Sequence, residues 1–342
     1  MKRIKLRLSI CMPYFKGADY LDSVLRNIIN QGFDYHEVII GDNTPDECKE
    51  ELEKTKAIIA LFDGLRIKYF KNQKNLGYPR NLQKVISRAQ GDILFLMAHD
   101  DLLAQGTLQK VYDAFLLDDD IGVVTRPYFW FMRDINKPLR AVMPYNADND
   151  ALISIKDGEK AVLKVLETVG QLSGLAYRKK FIEVPFNEAV FPAHIYPFLG
   201  IFSKHKCLFL KDFTTAVRIE SSQTRSSSLI YRDSPTLSWI EMFNAVLGDK
   251  EYEQIRNFCV KHYAKNYLGL VQIKNYGFWQ DLRQEIMVMI KWYPWNLLNI
   301  KFWFFVLGTI LIPRRILIWL VDNYKSIVLS KKLMDIKFCV QK

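Results

Sequence analysis

Four short apolar runs, each stopped abruptly by proline, turn residues or acids, restrict the folds open to this chain. They are Leu8-Ser-Ile-Cys-Met-Pro13, Val38-Ile-Ile-Gly41, the alternating stretch Leu65 to Phe70, and Ile93-Leu-Phe-Leu-Met97. Runs of this length between turn signals predict strands. The stretches between them carry helical spacing. Asp19 to Gln31 places Leu21, Val24, Leu25, Ile28 and Ile29 on one side before Gly32 stops it. Glu47 to Phe62, Arg80 to Gln90 and Thr107 to Leu117 read as further helices, and Ile121 to Thr125 as another strand. Strand and helix alternating through short connections predict an α/β fold: a Rossmann-like open sheet, mainly parallel, flanked by helices on both faces.

In such sheets ligands bind beyond the carboxyl ends of the strands. Three polar clusters fall there: Pro13 to Lys16, Asp42 to Asp46, and His99 to Asp101. No Gly-x-Gly-x-x-Gly follows the first strand and no phosphate-binding Gly-x-x-x-x-Gly-Lys-Ser/Thr occurs, which argues against a dinucleotide site and a P-loop. Asp100 and Asp101 follow a wholly apolar strand, where paired acids repel and lose hydration. A divalent cation with oxygen ligands, Mg²⁺ or Mn²⁺ on a diphosphate, compensates them; a helix cap and solvated loop before Thr107 is the competing reading. Asp42 either accepts from a base N–H or ribose hydroxyl, or satisfies its own turn. Phe15 either stacks on a nucleobase or packs at a strand end.

Composition narrows the class. The chain has 342 residues, 49% hydrophobic and 25% charged, which excludes disorder, collagen and a polytopic membrane protein. Its net charge of +11 points to an anionic partner. Residues 291–342 hold nine Lys/Arg against Asp322 and Asp335, a local +7; the remaining 290 residues carry only +4. Five scattered cysteines without a CxxC pair suit a reducing cytosol, and the first residues show no signal peptide.

Taken in order, Ser9-Ile-Cys-Met-Pro13-Tyr-Phe-Lys, Glu37-Val-Ile-Ile-Gly-Asp42-Asn-Thr-Pro-Asp46, Asn75-Leu-Gly77-Tyr-Pro-Arg80-Asn81 and Gly91-Asp-Ile-Leu-Phe-Leu-Met-Ala-His-Asp100-Asp101-Leu-Leu resemble the motifs of family 2 glycosyltransferases, in the manner of bacterial O-antigen and surface-polysaccharide enzymes. The resemblance covers residues 6 to 125 well and extends weakly to about 220. It implies a GT-A fold, inverting chemistry and a divalent metal. It implies a donor site at Pro13 and Phe15 beside the nucleobase, Asp42 reading the base, Asn75 and Arg80 lining the nucleotide pocket, and Asp100 on the metal and diphosphate. Asp101 follows as a second acid. The first acid of the family's Asp-x-Asp signature is replaced by Ala98 or His99, which makes His99 a candidate ligand. An inverting transfer also needs a base. Where the family carries an acid pair, Phe186 to Pro197 offers His194, with Glu188 as the alternative. Ser173 and Gly174 match the strand before the acceptor site, or mark a plain strand bend. Arg218 to Arg225, polar and Ser-rich, is a candidate closing loop.

From Trp292 the composition changes. Phe302 to Ile312 is apolar, flanked by Lys301 and by Arg314-Arg315, and too short for the ~20 residues of a spanning helix. After Pro313, Leu317, Leu320, Val321, Tyr324, Ile327 and Val328 share one helical face. Tryptophans, basic residues and amphipathic helices together predict a membrane-interface segment; a helical pair packed on the catalytic domain is the competing reading. The expected organisation is a catalytic domain over 1–220, a helical extension over 221–290 and basic amphipathic helices over 291–342. The expected activity is transfer of a sugar from a nucleotide-sugar donor to a hydroxyl of a lipid-linked saccharide, at the cytoplasmic face of an anionic membrane, peripherally bound and without nucleic acid. The alternative is a non-catalytic nucleotide-sugar or saccharide-binding protein on a degenerate transferase scaffold.

Overall fold

A computed structural model describes residues 5–188, 191–220, 228–333 and 335–340, and in it the four apolar runs become β1 (Leu8–Tyr14), β2 (Glu37–Asp42), β3 (Ile67–Lys71) and β4 (Ile93–Leu96). Further strands are β5 (Leu102–Leu103), β6 (Ile121–Thr125), β7 (Tyr128–Phe131), β8 (Arg140–Val142), β9 (Ala151–Ile153), β10 (Ala176–Arg178), β11 (Lys206–Phe209) and β12 (Thr215–Arg218). Eight of them form one sheet in the order β3-β2-β1-β4-β10-β6-β11-β9. The strands β3, β2, β1 and β4 run parallel, β6 and β11 pair in parallel, and β10 and β9 are antiparallel to their neighbours. This is the open, mainly parallel sheet that the alternation of strand and helix predicted.

Period-two alternation along fully buried strands divides the side chains between two helical layers. Ile10 and Met12 of β1, Val38 and Ile40 of β2, and Ile93 and Phe95 of β4 pack with α1 (Ala18–Ile29) and α4 (Thr107–Leu117). Cys11, Ile39, Leu94 and Leu96 point to the opposite face, against α3 (Gly77–Arg88), α5 (Glu159–Thr168) and α6 (Ile195–Lys204). The charged helix α2 (Lys49–Ala60) lies against α1 with only Leu52 and Thr55 buried. The third predicted helix begins three residues early, because Pro79 is tolerated in a first turn whose N–H groups have no intrahelical partner.

A second sheet, ordered β5-β12-β7-β8, escaped sequence reading. Its strands are two to four residues long, and β12 pairs with a β5 more than a hundred positions away, so no local period marks them. It carries Arg218 to the end of β4.

From Pro235 onward the chain is helical: α7 (Pro235–Val246), α8 (Glu253–Tyr263), α9 (Leu268–Tyr276), α10 (Trp279–Trp292), α11 (Ile300–Leu311) and α12 (Arg314–Asn323), continued by a π-helical turn over Tyr324–Leu329. Residues on either side of the expected boundaries at 220 and 290 share cores. Met242, Phe243, Leu247 and Cys259 belong to the main core. Phe302 and Val306 of α11 share a separate core with Tyr231, Tyr267, Leu270, Ile273, Leu282 and Met289. The chain then returns to the catalytic half, with Phe338 edge-on to Phe129 at 5.0 Å and Gln105 N–H donating to the Cys339 carbonyl at 2.9 Å. The expected closing loop, Arg218 to Arg225, lies outside the described residues from 221 onward.

Candidate functional site

The parallel register sets Tyr14 beside Asp42 and Asp42 beside Lys71, so the ends of β1, β2 and β3 lie side by side. Asp42 is fully buried. Its Oδ1 accepts from Thr44 N–H at 2.7 Å, which is the turn its sequence suggested, and its Oδ2 accepts from Tyr69 O–H at 2.7 Å. Each carboxylate oxygen keeps a second lone pair in this geometry. Three buried amides pin the neighbouring loop. Asn43 Nδ2 donates to the Gly77 carbonyl at 3.0 Å, Asn72 Nδ2 donates to Asn43 Oδ1 and Asn81 Oδ1 at 2.9 Å each, and Asn81 Nδ2 donates to the Gly41 carbonyl at 2.7 Å. The segment Asn75 to Arg80 is therefore held beside Asp42. Asn75 itself is exposed and accepts from Gly77 N–H at 2.9 Å. Pro13 is buried, and Phe15 is half-buried under Lys16 Nζ, 5.5 Å from its ring centroid.

The acid pair is built by the antiparallel strand. Ala176 pairs with Phe95, which brings Ser173 opposite Ala98. Ser173 Oγ accepts from Ala98 N–H at 2.8 Å and donates to Asp101 Oδ2 at 2.6 Å. Arg218 N–H donates to Asp101 Oδ1 at 2.8 Å, and its Nε donates to the Asp100 carbonyl at 3.2 Å. Gly174 has φ of +87°, and a Cβ there would collide with Thr215 Oγ1 and the Arg126 side chain, so glycine is required on both counts. Beneath this turn Arg126 is wholly buried. Its guanidinium donates to the carbonyls of Ser173 (2.8 Å), Thr168 (2.9 Å) and Gln171 (2.9 Å) and lies 4.6 Å from the Tyr128 ring centroid. Burial pulls its pKa down to about 10. Burial first, and the Asp100 charge second, push the Asp101 carboxyl well above the usual carboxylate range. Sequence reading missed Arg126 altogether; the Ser-Gly step was visible, but nothing local ties an arginine 47 positions away to it.

Neither acid caps the helix that follows: Gly106 precedes α4 and makes no side-chain cap. The expected three-residue metal set of His99, Asp100 and Asp101 is not formed. Among the described residues no group of three His, Cys, Asp or Glu side chains is placed to hold an ion. His99 lies against Gly17, where a Cβ would collide with its ring, and edge-on to Tyr14 at 5.1 Å. That position draws the imidazole toward the end of β1. Asp101 spends one lone pair on each oxygen in holding Ser173 and Arg218. The donor chemistry still fits a hard divalent cation, with Asp100 foremost and Asp101 behind it, provided that a ligand's phosphate oxygens complete the sphere.

The expected base, His194, is enclosed. His194 is 5% exposed, and both ring nitrogens are engaged: Nδ1 with Tyr78 Oη at 2.9 Å and Nε2 with the Val169 carbonyl at 2.8 Å. A carbonyl only accepts, so Nε2 carries the proton and Nδ1 accepts from Tyr78. Burial pulls the imidazole down to about 4 and pushes the Tyr78 phenol up, which keeps both neutral. Glu188 stands differently. It is exposed and pairs with Arg80 Nη2 at 2.7 Å, and that cation holds its carboxyl below the usual glutamate range. The structure thus joins a residue expected on the donor side to one expected on the acceptor side. A cleft of about 520 Å³, lined by Asp22, Arg26, Asn27, Leu102 and Val340, contains none of these residues.

A family model for glycosyl transferase family 2 matches residues 9–183. The cholesterol galactosyltransferase of Borreliella burgdorferi is 24% identical over 280 residues, 77% of this chain and 73% of that protein. Abequosyltransferase RfbV of Salmonella typhimurium is 33% identical over 104 residues, 30% of each chain. The GalNAc(5)-diNAcBac-PP-undecaprenol beta-1,3-glucosyltransferase of Campylobacter jejuni is 31% identical over 107 residues, 31% of this chain and 33% of that protein. The chain spans about a third of the length of these last two relatives. Among solved structures, residues 1–349 of S. aureus TarS with UDP-GlcNAc superpose with a TM-score of 0.63 at 14% identity, covering 98% of this chain and 97% of that one, a likeness of fold. The mannosyltransferase PcManGT of Pyrobaculum calidifontis with GDP-Man and Mn²⁺ gives 0.50 at 13% identity, over 90% and 86% of the two chains.

Proposed function

The chain belongs to glycosyl transferase family 2, and from that membership we propose that it moves a sugar from a nucleotide-sugar donor to a hydroxyl of a lipid-linked saccharide, with inversion at the anomeric carbon. The observation that carries this reading is that Asp42, the Asn75–Arg80 loop and the Asp100–Asp101 pair lie at the carboxyl edge of one sheet, after β2 and β4 on either side of β1.

The nucleobase lies over the ends of β1 and β2, where Phe15 offers a ring face and the remaining lone pairs of Asp42 accept base or ribose donors. Arg80 faces the diphosphate. Asp100, backed by Asp101, would hold a divalent cation there, and such a cation neutralises charge on a departing nucleoside diphosphate. Asp101 serves chiefly as a brace. Through Ser173 it fixes the turn at Gly174, where the acceptor sugar has room to approach. Glu188 is the base. Ionised at neutral pH beside Arg80, it takes the acceptor proton as that oxygen forms its bond to the anomeric carbon from the face opposite the phosphate. The carbon–phosphate-oxygen bond breaks in the same displacement and its electron pair leaves with the nucleoside diphosphate. His194, with both nitrogens in use, positions Tyr78 and the donor loop. The lipid-linked acceptor is supported by the cholesterol and the undecaprenol in the names of the Borreliella and Campylobacter relatives.

The test is a panel of nucleotide sugars with Mn²⁺, Mg²⁺ or EDTA, reading binding by calorimetry and turnover by nucleoside diphosphate release. One donor should bind and turn over with a lipid-linked glycan. Binding without release across acceptors would remove the catalytic reading.

A further inference from the structure

Apart from Lys301 and Thr309, helix α11 has no polar side chain, but only one of its faces is packed. Phe302 and Val306 are buried against α9 and α10, and Thr309 is buried on the same helix. On the other side Ile300, Phe304, Leu307 and Leu311, spaced by four, three and four residues, share a face. They are 87%, 73%, 49% and 73% exposed. The stripe continues at both ends. Trp295 and Leu298 stand exposed in the turn before α11, and Ile316 and Trp319 of α12 stand exposed after Pro313. A contiguous apolar surface of this kind on a soluble protein marks a binding face.

Charge decides what binds. Between Ile286 and Val321 the sequence has four cations, Lys291, Lys301, Arg314 and Arg315, and no acid. All four are exposed: Lys301 lies in the first turn of α11, and Arg314 and Arg315 open α12. A second copy meeting this face about a twofold axis would set the arginines of one chain against those of the other. A bilayer with anionic headgroups receives both features: acyl chains take the stripe and headgroup phosphates take the cations. Helix α11 has twelve residues, about 18 Å long, and no described helix is long and apolar enough to cross a membrane. The segment therefore lies in the interface plane. Its aromatic members suit that depth: Trp303 Nε1–H already donates to the Leu297 carbonyl at 2.8 Å, so its ring enters an apolar layer with no unsatisfied donor.

We propose that the outer face of α11 and the start of α12 form a docking surface for an anionic lipid bilayer. The face that sequence reading favoured, on the helix after Pro313, is the lesser part of it, because Leu317 turns inward and the larger exposed stripe belongs to the preceding helix. This surface stands apart from the transferase reading, since vesicle binding is measured without donor, acceptor or turnover.

The experiment is flotation of the full chain with phosphatidylcholine vesicles and with vesicles that also contain phosphatidylglycerol. Deleting the segment is unsuitable, because Phe338 and Cys339 beyond it pack on the catalytic half. Instead, F304E/L311E changes two exposed side chains and R314E/R315E reverses two exposed charges. The wild type should float, more strongly with phosphatidylglycerol. F304E/L311E should lose about tenfold or more in partition coefficient, and R314E/R315E should lose the preference for phosphatidylglycerol. Brominated acyl chains should quench tryptophan fluorescence of the unaltered protein, which keeps the test independent of any variant's folding. Wild type that stays unbound on both vesicles, or F304E/L311E that floats like wild type, overturns the proposal. So does a wild-type dimer that F304E/L311E converts to monomer without vesicle binding, which would assign the face to a second copy.

Discussion

Phe95 and Phe304 both sit inside apolar runs, yet Phe95 is fully buried and Phe304 is 73% exposed. The strand that carries Phe95 is covered on both faces by helices, so each apolar residue finds a layer whichever way it points. The helix that carries Phe304 has a partner on one side only. Equal hydrophobicity in sequence thus serves two ends: in the sheet it holds a rigid edge on which Asp42 and Asp100 stand, and in α11 it remains available for contact. The acid site is polar chemistry on an apolar scaffold; the C-terminal face is apolar chemistry ringed by charge.

The comparison can be broken at its catalytic end first. Asp100→Ala should lower nucleoside diphosphate release on the order of 10⁴-fold, through loss of the foremost cation ligand. Turnover near wild type would remove that acid from the site. Phe95→Ala should cost about 3–5 kcal/mol in denaturant unfolding, by transfer and cavity together. A cost below about 1 kcal/mol would mean that the sheet layer is not the sealed core described. Glu188→Gln should reduce kcat on the order of 10²-fold while donor affinity stays within a few-fold. An unchanged kcat would move the base elsewhere.

His194 separates structural from catalytic roles by pH. Its folded pKa, about 4, lies below the ordinary histidine value near 6.5. The unfolded chain therefore takes up the proton first on acidification. The stability contributed by the neutral ring is present in full above about pH 6.5 and is lost as pH falls toward about 4. Thermal melts of wild type and His194→Gln at about pH 7 and about pH 5 should show a smaller loss in the variant, and transfer at neutral pH should survive in it within about tenfold. A folded variant with no transfer would return the ring to catalysis. The smallest effect is expected at the other end of the comparison: Phe304→Ala should change unfolding stability by less than about 0.5 kcal/mol, because the side chain leaves no cavity. A cost like that of Phe95→Ala would show that the face is covered in solution.

Much of the catalytic half was legible from local pattern. Thr107–Leu117 and Ile121–Thr125 coincide with their expected bounds, and each of the other predicted strands starts or ends within about two residues. The reason is that turn signals and period two are properties of neighbouring residues. Asp42 and Asp100 were legible too, because a polar group after a buried strand marks the carboxyl edge of the sheet. Glu188 and Arg80, 108 positions apart, could not be paired in advance. Nor could the sequence show that both nitrogens of His194 are occupied, since its partners Tyr78 and Val169 come from other segments. The same holds for the second sheet, whose strands of two to four residues have too little length for a period.

From the order of its residues alone, this chain determined a mainly parallel α/β sheet, the three strand ends where ligands meet it, and a basic, tryptophan-rich C-terminal segment. Only tertiary structure decided what each polar side chain does there. It tied Asp101 to Ser173 and Arg218, buried Arg126 beneath Ser173, filled both nitrogens of His194, and left one face of α11 bare. The division has a physical cause. Strand and helix periods arise from torsions within a few residues, whereas a side chain's role depends on which lone pairs and surfaces remain after distant strands have fixed their register.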